Sequence, residues 1–340
     1  MIQYNTQHQQ AKNTLRRDQQ FIENKSLQNK RIILRLDWNV PIKHGVIQDY
    51  FRIHSTLKTI EYVLTQQPGY IMIVSHLGRP KQIDIQYSFE TYVDQINSFL
   101  CKHTHFSVKV VNTNILQNEQ NEQTNMFCAS NNKCVYLMDN VRFIDEETNK
   151  SMNYDSIKSM YLSMGDVFIN DAFGCCHRDH LSITAPFDKP EKWCYGYLIE
   201  QETSALSHII NNPEQKKVLA IIGGAKMDDK LPLLENLSKR VDSIFVAGGN
   251  ITGILQTPTY QQFIEKIQQN SADVVLMNDG LCSKDLNLQP TYRTCDEYIM
   301  GESFFDIGMQ SMNQLYDMIN SHDVIFWNGT LGVVEHALYK

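Results

Sequence analysis

The sequence predicts an α/β protein with two doubly wound parallel-sheet domains and a cleft between them. Short apolar runs alternate with helix-like segments along most of the chain, which is typical of buried parallel strands and the helices that cover them. Several runs end in a polar cluster or a glycine pair, and ligands bind at such strand ends in open α/β sheets. A length of 340 residues is sufficient for two domains with sizeable cores.

Four apolar runs in the first half each lead into a polar cluster that carries an arginine or leads to one. They are Arg31–Leu36 into residues 37–39, Tyr70–Val74 into residues 75–79, Cys134–Met138 into residues 139–142, and Asp166–Ile169 into residues 170–178. Because the carboxyl ends of parallel strands meet at one edge of a sheet, the polar residues of these clusters are predicted to converge. Converging guanidinium groups favour a small ligand with more than one anionic group.

Helical and polar segments separate these strands. Arg52–Leu64 is predicted to be one helix, because its apolar residues recur at helical spacing. Residues 112–133 are rich in Asn and Gln and are predicted to form a surface insertion. Residues 1–28 are predicted to be a polar N-terminal extension outside the core.

The second half repeats this pattern with glycine pairs after the strands. Gly196–Asn211 is predicted to be the connecting helix, with the domain boundary near residue 198. The predicted strands are Val218–Ile222, Ser243–Ala247, Asp273–Leu276 and Asp323–Trp327. A helix is predicted around Leu231–Val241, after the first of these strands. A strand, a glycine pair and a helix bring the backbone close to a phosphate group at the helix N-terminus.

Lys226 and Lys230 follow the glycine pair Gly223-Gly224 and are spaced by one helical turn. They are predicted to lie on one face of the helix start, where lysines can meet the phosphates of a nucleotide. Each signal is weak by itself, because glycine pairs usually mark turns and most lysines are solvated.

Composition excludes several classes of protein. Hydrophobic residues at 42% and charged residues at 20% describe an ordinary globular chain, and no apolar stretch is long enough to span a bilayer. A formal charge of −7 opposes general nucleic-acid binding, although local arginines can still bind an anion. The eight cysteines have no metal-ligand spacing, and residues 1–10 lack the apolar core of a secretory signal. These features predict a cytoplasmic protein with reduced thiols.

Five segments resemble phosphoglycerate kinases, and they occur in the family's order from about residue 31 onward. The segments are Leu36–Pro41, Ser75–Pro80, Asn170–Gly174, Ile222–Lys226 and Trp327–Glu335. The resemblance implies a 3-phosphoglycerate-binding domain at residues 29–198 and a nucleotide-binding domain at residues 199–340. It also implies a monomer that transfers a phosphoryl group reversibly between 1,3-bisphosphoglycerate and ADP, giving 3-phosphoglycerate and ATP.

The resemblance also implies the roles of individual residues. The residues implied to bind 3-phosphoglycerate are Asp37, Asn39, Arg52, His76, Arg79, Arg142 and Arg178. The residues implied to bind the nucleotide are Gly223, Gly224, Lys226, Lys230, Gly248, Asn328 and Glu335. Arg52 and Lys230 would be catalytic, because their charges would neutralise the phosphoryl group in transfer. Mg²⁺ would be carried with ADP or ATP, so no metal-binding residue is assigned.

The chain departs from the family pattern at several positions. In the first half, Trp38, Asp139 and the pair Cys175-Cys176 replace Phe, Glu and small residues. The departures in the second half are Ala247, Met277, Met309 and Thr330. The family's Gly-Gly-Gly-Asp-Ser turn, which binds nucleotide phosphates and Mg²⁺, does not follow in this sequence, so the resemblance implies a second domain that is incomplete at its C-terminus.

The sequence is therefore compatible with two functions. One is phosphoglycerate kinase activity, and the other is a weak or inactive relative that binds 3-phosphoglycerate or a similar anion without turnover. The absent phosphate turn favours the second, while the arginines and lysines are compatible with both. A nicotinamide-dependent dehydrogenase is disfavoured, because the Gly-x-Gly-x-x-Gly fingerprint is not found.

Overall fold

The computed structural model describes residues 21–113, 135–211 and 215–339. The chain divides into two compact units, the first ending at Thr203 and the second beginning at Ser204. The predicted surface insertion lies outside the described residues except at positions 112 and 113, as does the predicted extension up to residue 20. In the described part, no helix has both the length and the apolar character needed to cross a membrane.

A six-stranded parallel sheet forms the centre of the first unit, beside a small antiparallel pair. The strands of the unit are β1 (Arg31–Arg35), β2 (Ile42–Lys43), β3 (Val46–Ile47), β4 (Tyr70–Val74), β5 (Val108–Val111), β6 (Val135–Met138), β7 (Val167–Asn170) and β8 (Trp193–Tyr195). The order in the large sheet is β5-β6-β4-β1-β7-β8, while β2 pairs with β3. The neighbours of β1 are β4 on one side and β7 on the other, so the loops after β1 and β7 lie at a topological switch point.

Helices cover both faces of this sheet, which confirms the predicted doubly wound α/β class. The α-helices that begin in this unit are α1 (Phe51–His54), α2 (Leu57–Thr65), α3 (Val93–His103), α4 (Tyr154–Ser163), α5 (Leu181–Thr184) and α6 (Tyr197–Asn211). Successive residues of β1 enter different cores: Ile32 and Leu34 pack in one, and Ile33 packs in the other. Burial on both faces explains why this strand is a continuous apolar run.

The predicted helix Arg52–Leu64 is wrong in one respect, because it is interrupted between α1 and α2. The hydroxyl of Thr56 donates to the carbonyl of Ile53 at 2.8 Å and accepts from the indole N–H of Trp38 at 3.0 Å. A buried threonine held in this way competes with helical backbone bonding. The interruption therefore depends on Trp38, a tertiary partner that helical spacing does not reveal.

The core of the first unit begins earlier in the chain than the sequence indicates. Ile22 and Leu27 are each 1% exposed and pack into the core that contains Leu34. Phe21 forms a parallel bridge with Tyr195, next to the last strand of the sheet. The end of the predicted polar extension is thus part of the folded unit.

The second unit contains a four-stranded parallel sheet and a three-stranded antiparallel sheet. Its strands are β9 (Val218–Ile222), β10 (Ser243–Val246), β11 (Asp273–Leu276), β12 (Asp279–Ser283), β13 (Thr291–Thr294), β14 (Ser303–Ile307) and β15 (Val324–Asn328). The strand orders are β11-β10-β9-β15 and β13-β12-β14. Its further α-helices are α7 (Leu231–Leu237), α8 (Gly249–Gln256), α9 (Pro258–Ile267) and α10 (Met309–Asn320). The switch point of the parallel sheet lies between β9 and β15.

A buried carboxyl joins the end of β7 to the start of α6. Asp171 is fully buried. Its carboxylate accepts a hydrogen bond from the hydroxyl of Thr59 at 2.6 Å and another from the N–H of Ile199 at 3.1 Å. Burial is the main cause that raises the pKa of Asp171 from 3.8 to about 6. This carboxyl therefore favours the folded state most below pH 4, and its ionisation reduces stability as the pH rises toward 6.

We expect Asp171→Asn to flatten the pH dependence of the unfolding free energy. Relative to the variant, the wild type should lose about 2 kcal/mol between pH 4 and pH 7, since about 1.4 kcal/mol corresponds to one pKa unit and part of the effect lies below pH 4. Urea unfolding at several pH values measures this difference. Asp155→Asn, at an exposed position on α4, is the control. Parallel pH curves for the wild type and Asp171→Asn would contradict the expectation.

Candidate functional site

The loops after β1 and β4 and the helix α1 bring three predicted substrate residues together around Asp37. The carboxylate of Asp37 forms an ion pair with the guanidinium of Arg52, which lies on α1. The other carboxylate oxygen of Asp37 lies 3.7 Å from Nδ1 of His76. Asp37 and His76 are buried, whereas Arg52 is about half exposed. A partly exposed cation backed by a buried carboxylate is placed to receive an anion from solvent.

His76 is held neutral by its surroundings. Burial, followed by the positive charges of Arg35 and Arg142, lowers its pKa from 6.5 to about 2. A neutral imidazole can donate one hydrogen bond and accept another, but it cannot deliver a proton as an acid at neutral pH. The site therefore offers His76 as a hydrogen-bonding group.

A glycine turn connects two further predicted residues. The N–H of Gly78 donates to the side-chain oxygen of Asn39 at 2.7 Å, and the guanidinium of Arg142 donates to the carbonyl of Gly78 at 2.6 Å. Gly78 has a φ of +60°, and a Cβ there would lie 2.3 Å from the ring of Tyr87. Glycine is therefore required at this position, both for its backbone conformation and for space.

The remaining predicted arginines differ in how they are held. Arg178 is half-buried, and its charge helps to lower the pKa of Arg142, although burial is the larger cause. Arg79 is exposed, and no hydrogen bond or ion pair fixes its side chain within the described ranges. Asn140 was not predicted as a site residue, yet it is buried and donates to the carbonyls of Leu77 and Tyr87. Its position two residues before Arg142 was the available signal.

Three potential metal ligands meet here, although the surroundings favour an anion. Ligand atoms of Asp37, His76 and Cys175 lie within 4.8 Å of one another, and no other such group of three occurs among the described residues. Imidazole and thiol are not ligands that Mg²⁺ prefers. The positive charges that lower the pKa of His76 would also oppose a metal cation.

In the second unit, backbone groups at the switch point between β9 and β15 pack tightly together. The N–H of Gly223 donates to the carbonyl of Asn328, and the N–H of Gly224 donates to the carbonyl of Thr330, each at 2.8 Å. A Cβ at Gly223 would lie 2.2 Å from the Thr330 carbonyl, and Gly224 has a φ of +108°. Any side chain at these two positions would separate the two loops or strain the backbone.

The predicted helical placement of Lys226 and Lys230 is wrong. Residues 225–230 form a turn, and α7 begins only at Leu231, with Lys230 at its N-cap. Lys230 is half-buried and donates to the side-chain oxygen of Asn328, which brings two predicted nucleotide residues together. Lys226 and Glu335 are exposed, and neither side chain is fixed by a hydrogen bond or ion pair in the described part of the chain.

A cavity of about 350 Å³ adjoins this turn. Gly224 and Gly248, both predicted, line it, and α8 begins directly after Gly248. The lining residues that were not predicted are Ala225, Gly249, Thr252, Gly253, Gln256, Ser303, Phe304, Phe305, Thr330, Gly332 and Val333. A mostly apolar, glycine-lined cavity of this size fits a small organic ligand. Most of these residues lie on α8 and β14, two elements that were not predicted from the sequence.

Comparisons with known proteins agree with these features. A family model described as phosphoglycerate kinase matches residues 22–340. The phosphoglycerate kinase of Baumannia cicadellinicola is 32% identical over 93% of this chain and 80% of its own length. The solved phosphoglycerate kinase of Coxiella burnetii is 29% identical, with a TM-score of 0.69 over 93% of this chain and 81% of that chain. The Pyrococcus horikoshii enzyme, 20% identical with a TM-score of 0.75 over 94% of this chain and 82% of that chain, supports the fold alone. The chain belongs to the phosphoglycerate kinase family.

Proposed function

We propose that this protein catalyses reversible phosphoryl transfer between 1,3-bisphosphoglycerate and ADP, giving 3-phosphoglycerate and ATP. The observation that carries the proposal is the cluster of Asp37, Arg52 and His76 at the carboxyl edge of the first sheet. Family membership supports the reaction class. We further propose a cytoplasmic monomer that takes its nucleotide as the Mg²⁺ complex.

The first unit is proposed to bind 3-phosphoglycerate, a molecule with a carboxylate and a phosphate. Arg142 and Arg178 are close enough for the charge of Arg178 to lower the pKa of Arg142. A bound anion would reduce this repulsion between the two guanidinium groups. Arg79 is exposed and has no fixed partner in the described ranges, so it is available to pair with the ligand. Asn39 accepts a hydrogen bond from the N–H of Gly78, and we infer that it contributes to substrate binding by fixing this turn.

The second unit is proposed to bind ADP or ATP in the glycine-lined cavity. Gly224 and Gly248 line this cavity and allow the phosphates to approach the backbone, and Gly223 allows its loop to pack against Thr330, which also lines the cavity. Lys226 and Lys230 supply positive charge. Asn328 holds Lys230 in place. Glu335 is exposed and is proposed to meet the nucleotide's ribose, as the family resemblance implies.

The proposed chemistry requires positioning and charge neutralisation. The acceptor group of 3-phosphoglycerate is already a carboxylate, so no base has to remove a proton from it. A neutral His76 is compatible with such a site, because it orients a ligand without protonating it. Arg52 and Lys230 would neutralise the charge on the phosphoryl group during transfer.

Steady-state formation of ADP from ATP, with Mg²⁺ and 3-phosphoglycerate, tests this proposal. We expect turnover that saturates with 3-phosphoglycerate. Glycerol 3-phosphate is the control substrate, because it keeps the phosphate but lacks the acceptor carboxylate, and it should give no turnover. Equal ADP formation with both compounds, or none with either, would contradict the proposal.

We expect Arg79→Ala to weaken 3-phosphoglycerate binding by about 1.5–3 kcal/mol, because a hydrogen-bonded ion pair with the ligand is lost. Isothermal titration calorimetry measures the effect without turnover. Arg240→Ala, which removes an exposed arginine of the second unit, is the matched control and should leave the affinity unchanged. The same affinity in Arg79→Ala and wild type would remove Arg79 from the site.

A further inference from the structure

A chain of buried polar side chains lies beneath the proposed substrate residues. Arg35, Glu147 and Ser182 are each 2% exposed or less. Nε of Arg35 donates to the hydroxyl of Ser182 at 2.8 Å, and that hydroxyl donates to Glu147 at 2.7 Å. The N–H of Ser182 donates to the other carboxylate oxygen of Glu147 at 2.8 Å.

The three members of this network lie next to three of the four loops that carry predicted substrate residues. Arg35 ends β1 and precedes Asp37 by two residues. Glu147 follows Arg142 by five residues, and Ser182 follows Arg178 by four. A shift of any one loop would break a hydrogen bond to another, so the network fixes the spacing of the loops.

Stability alone is a poor explanation for this arrangement. Removing a carboxylate and a guanidinium from water carries a desolvation penalty that their attraction and hydrogen bonds have to offset, and apolar residues of similar volume often serve equally well. Three buried nitrogen atoms in and around the network also lack a hydrogen-bond partner among the described residues, namely Nη2 of Arg35, Nε of Arg142 and Nδ1 of His180. Nδ1 of His180 lies 3.7 Å from Glu147, too far for a hydrogen bond.

The network also acts on the charges of the site. Burial is the main cause that lowers the pKa of Arg142, and the charges of Arg178 and Arg35 lower it further, whereas an ionised Glu147 raises it. Burial raises the pKa of Glu147 itself, while Arg35 and the two hydrogen bonds from Ser182 favour its ionised form. Glu147 thus reduces the repulsion between guanidinium groups that stand close together before an anion binds. This effect and the hydrogen bonds favour the same arrangement of the loops.

We propose that Arg35, Ser182 and Glu147 are positioning residues that hold Asp37, Arg142 and Arg178 at the spacing the anionic substrate requires. None of the three is proposed to touch the substrate. The inference rests on the proposed function for the identity of that substrate. It predicts a selective effect on 3-phosphoglycerate, because the network lies entirely within the first unit.

The test is Ser182→Ala, which removes the linking hydroxyl and little volume. We expect KM for 3-phosphoglycerate to rise about 10-fold, in line with the loss of hydrogen bonds to charged groups, while KM for MgATP changes less than about twofold. Ser182→Thr keeps the hydroxyl and should stay within about threefold of wild type. Ser159→Ala, at an exposed position on α4, removes a hydroxyl that donates to the backbone carbonyl of Asp155 and should change neither constant.

An equal rise of both KM values, or a lower melting temperature with unchanged KM values, would assign the network a structural role and overturn the proposal. Should Ser182→Ala fail to fold, Glu147→Gln decides the matter: a selective rise supports positioning, and failure of both variants to fold contradicts it. Absence of turnover in the wild type would be a failure of the proposed function instead. The network would then be tested by calorimetry with inorganic sulfate, which should bind the wild type about 10-fold more tightly than Ser182→Ala; equal affinities would overturn it.

Discussion

Lys230→Met should lower kcat by about a hundred- to a thousand-fold, the cost of removing one preorganised charge that stabilises a transition state. Lys230 is half-buried and donates a hydrogen bond to Asn328, so its ammonium group is already oriented in the ligand-free protein. Removal of charge that acts mainly on the transition state lowers kcat more than it raises KM. Steady-state kinetics with both substrates varied measures the two constants separately.

Lys226→Met is the matched control for this experiment. Lys226 is exposed and has no fixed partner in the described residues, so we expect it to assist nucleotide binding in the ground state. Its substitution should raise KM for MgATP with little change in kcat. Equal effects of the two substitutions on nucleotide affinity, with no separate loss of kcat in Lys230→Met, would refute the division of roles.

Arg52→Met should also lower kcat by about a hundred-fold or more, because the substitution removes the cation proposed to neutralise the transferring phosphoryl group. The variant also leaves the buried Asp37 without its ion-pair partner, so the melting temperature has to be measured alongside. Arg52→Lys keeps the charge but loses the planar fork of donors, and we expect an intermediate loss of about tenfold. Activity of Arg52→Met within about threefold of wild type would show that Arg52 is not catalytic.

Strands formed by buried apolar runs were predictable, because the local sequence determines them. Tyr70–Val74 and Val218–Ile222 are strands over their whole predicted lengths, since each is an apolar run buried on both faces. Strands without such a run escaped prediction. Thr291–Thr294 is partly exposed and forms an antiparallel strand only through its pairing with β12. Its structure is set by a neighbour rather than by its own residues.

Site residues were predictable where the function requires a particular residue type. They were not predictable where their role depends on contacts with distant parts of the chain. Asp37 and His76 could be named because they follow apolar runs in strings typical of the family. The buried network around Arg35 could not be predicted, because Glu147 and Ser182 lie more than a hundred residues further along the chain. One signal was present: an arginine within the apolar run of β1 requires a buried polar partner. The helical placement of Lys226 was wrong because spacing alone does not show where a helix begins.

Transfer of label from γ-labelled ATP tests the central claim most directly. The purified chain is mixed with labelled ATP, Mg²⁺ and 3-phosphoglycerate, and the products are separated directly. A second portion is treated with hydroxylamine, which converts an acyl phosphate into the hydroxamate of 3-phosphoglycerate and releases the labelled phosphate. The account predicts label in an acyl phosphate on the carboxylate of 3-phosphoglycerate, and a loss of that product in Lys230→Met. Label that appears only as inorganic phosphate in the untreated portion, or 3-phosphoglycerate that binds by calorimetry but never becomes labelled, would contradict it.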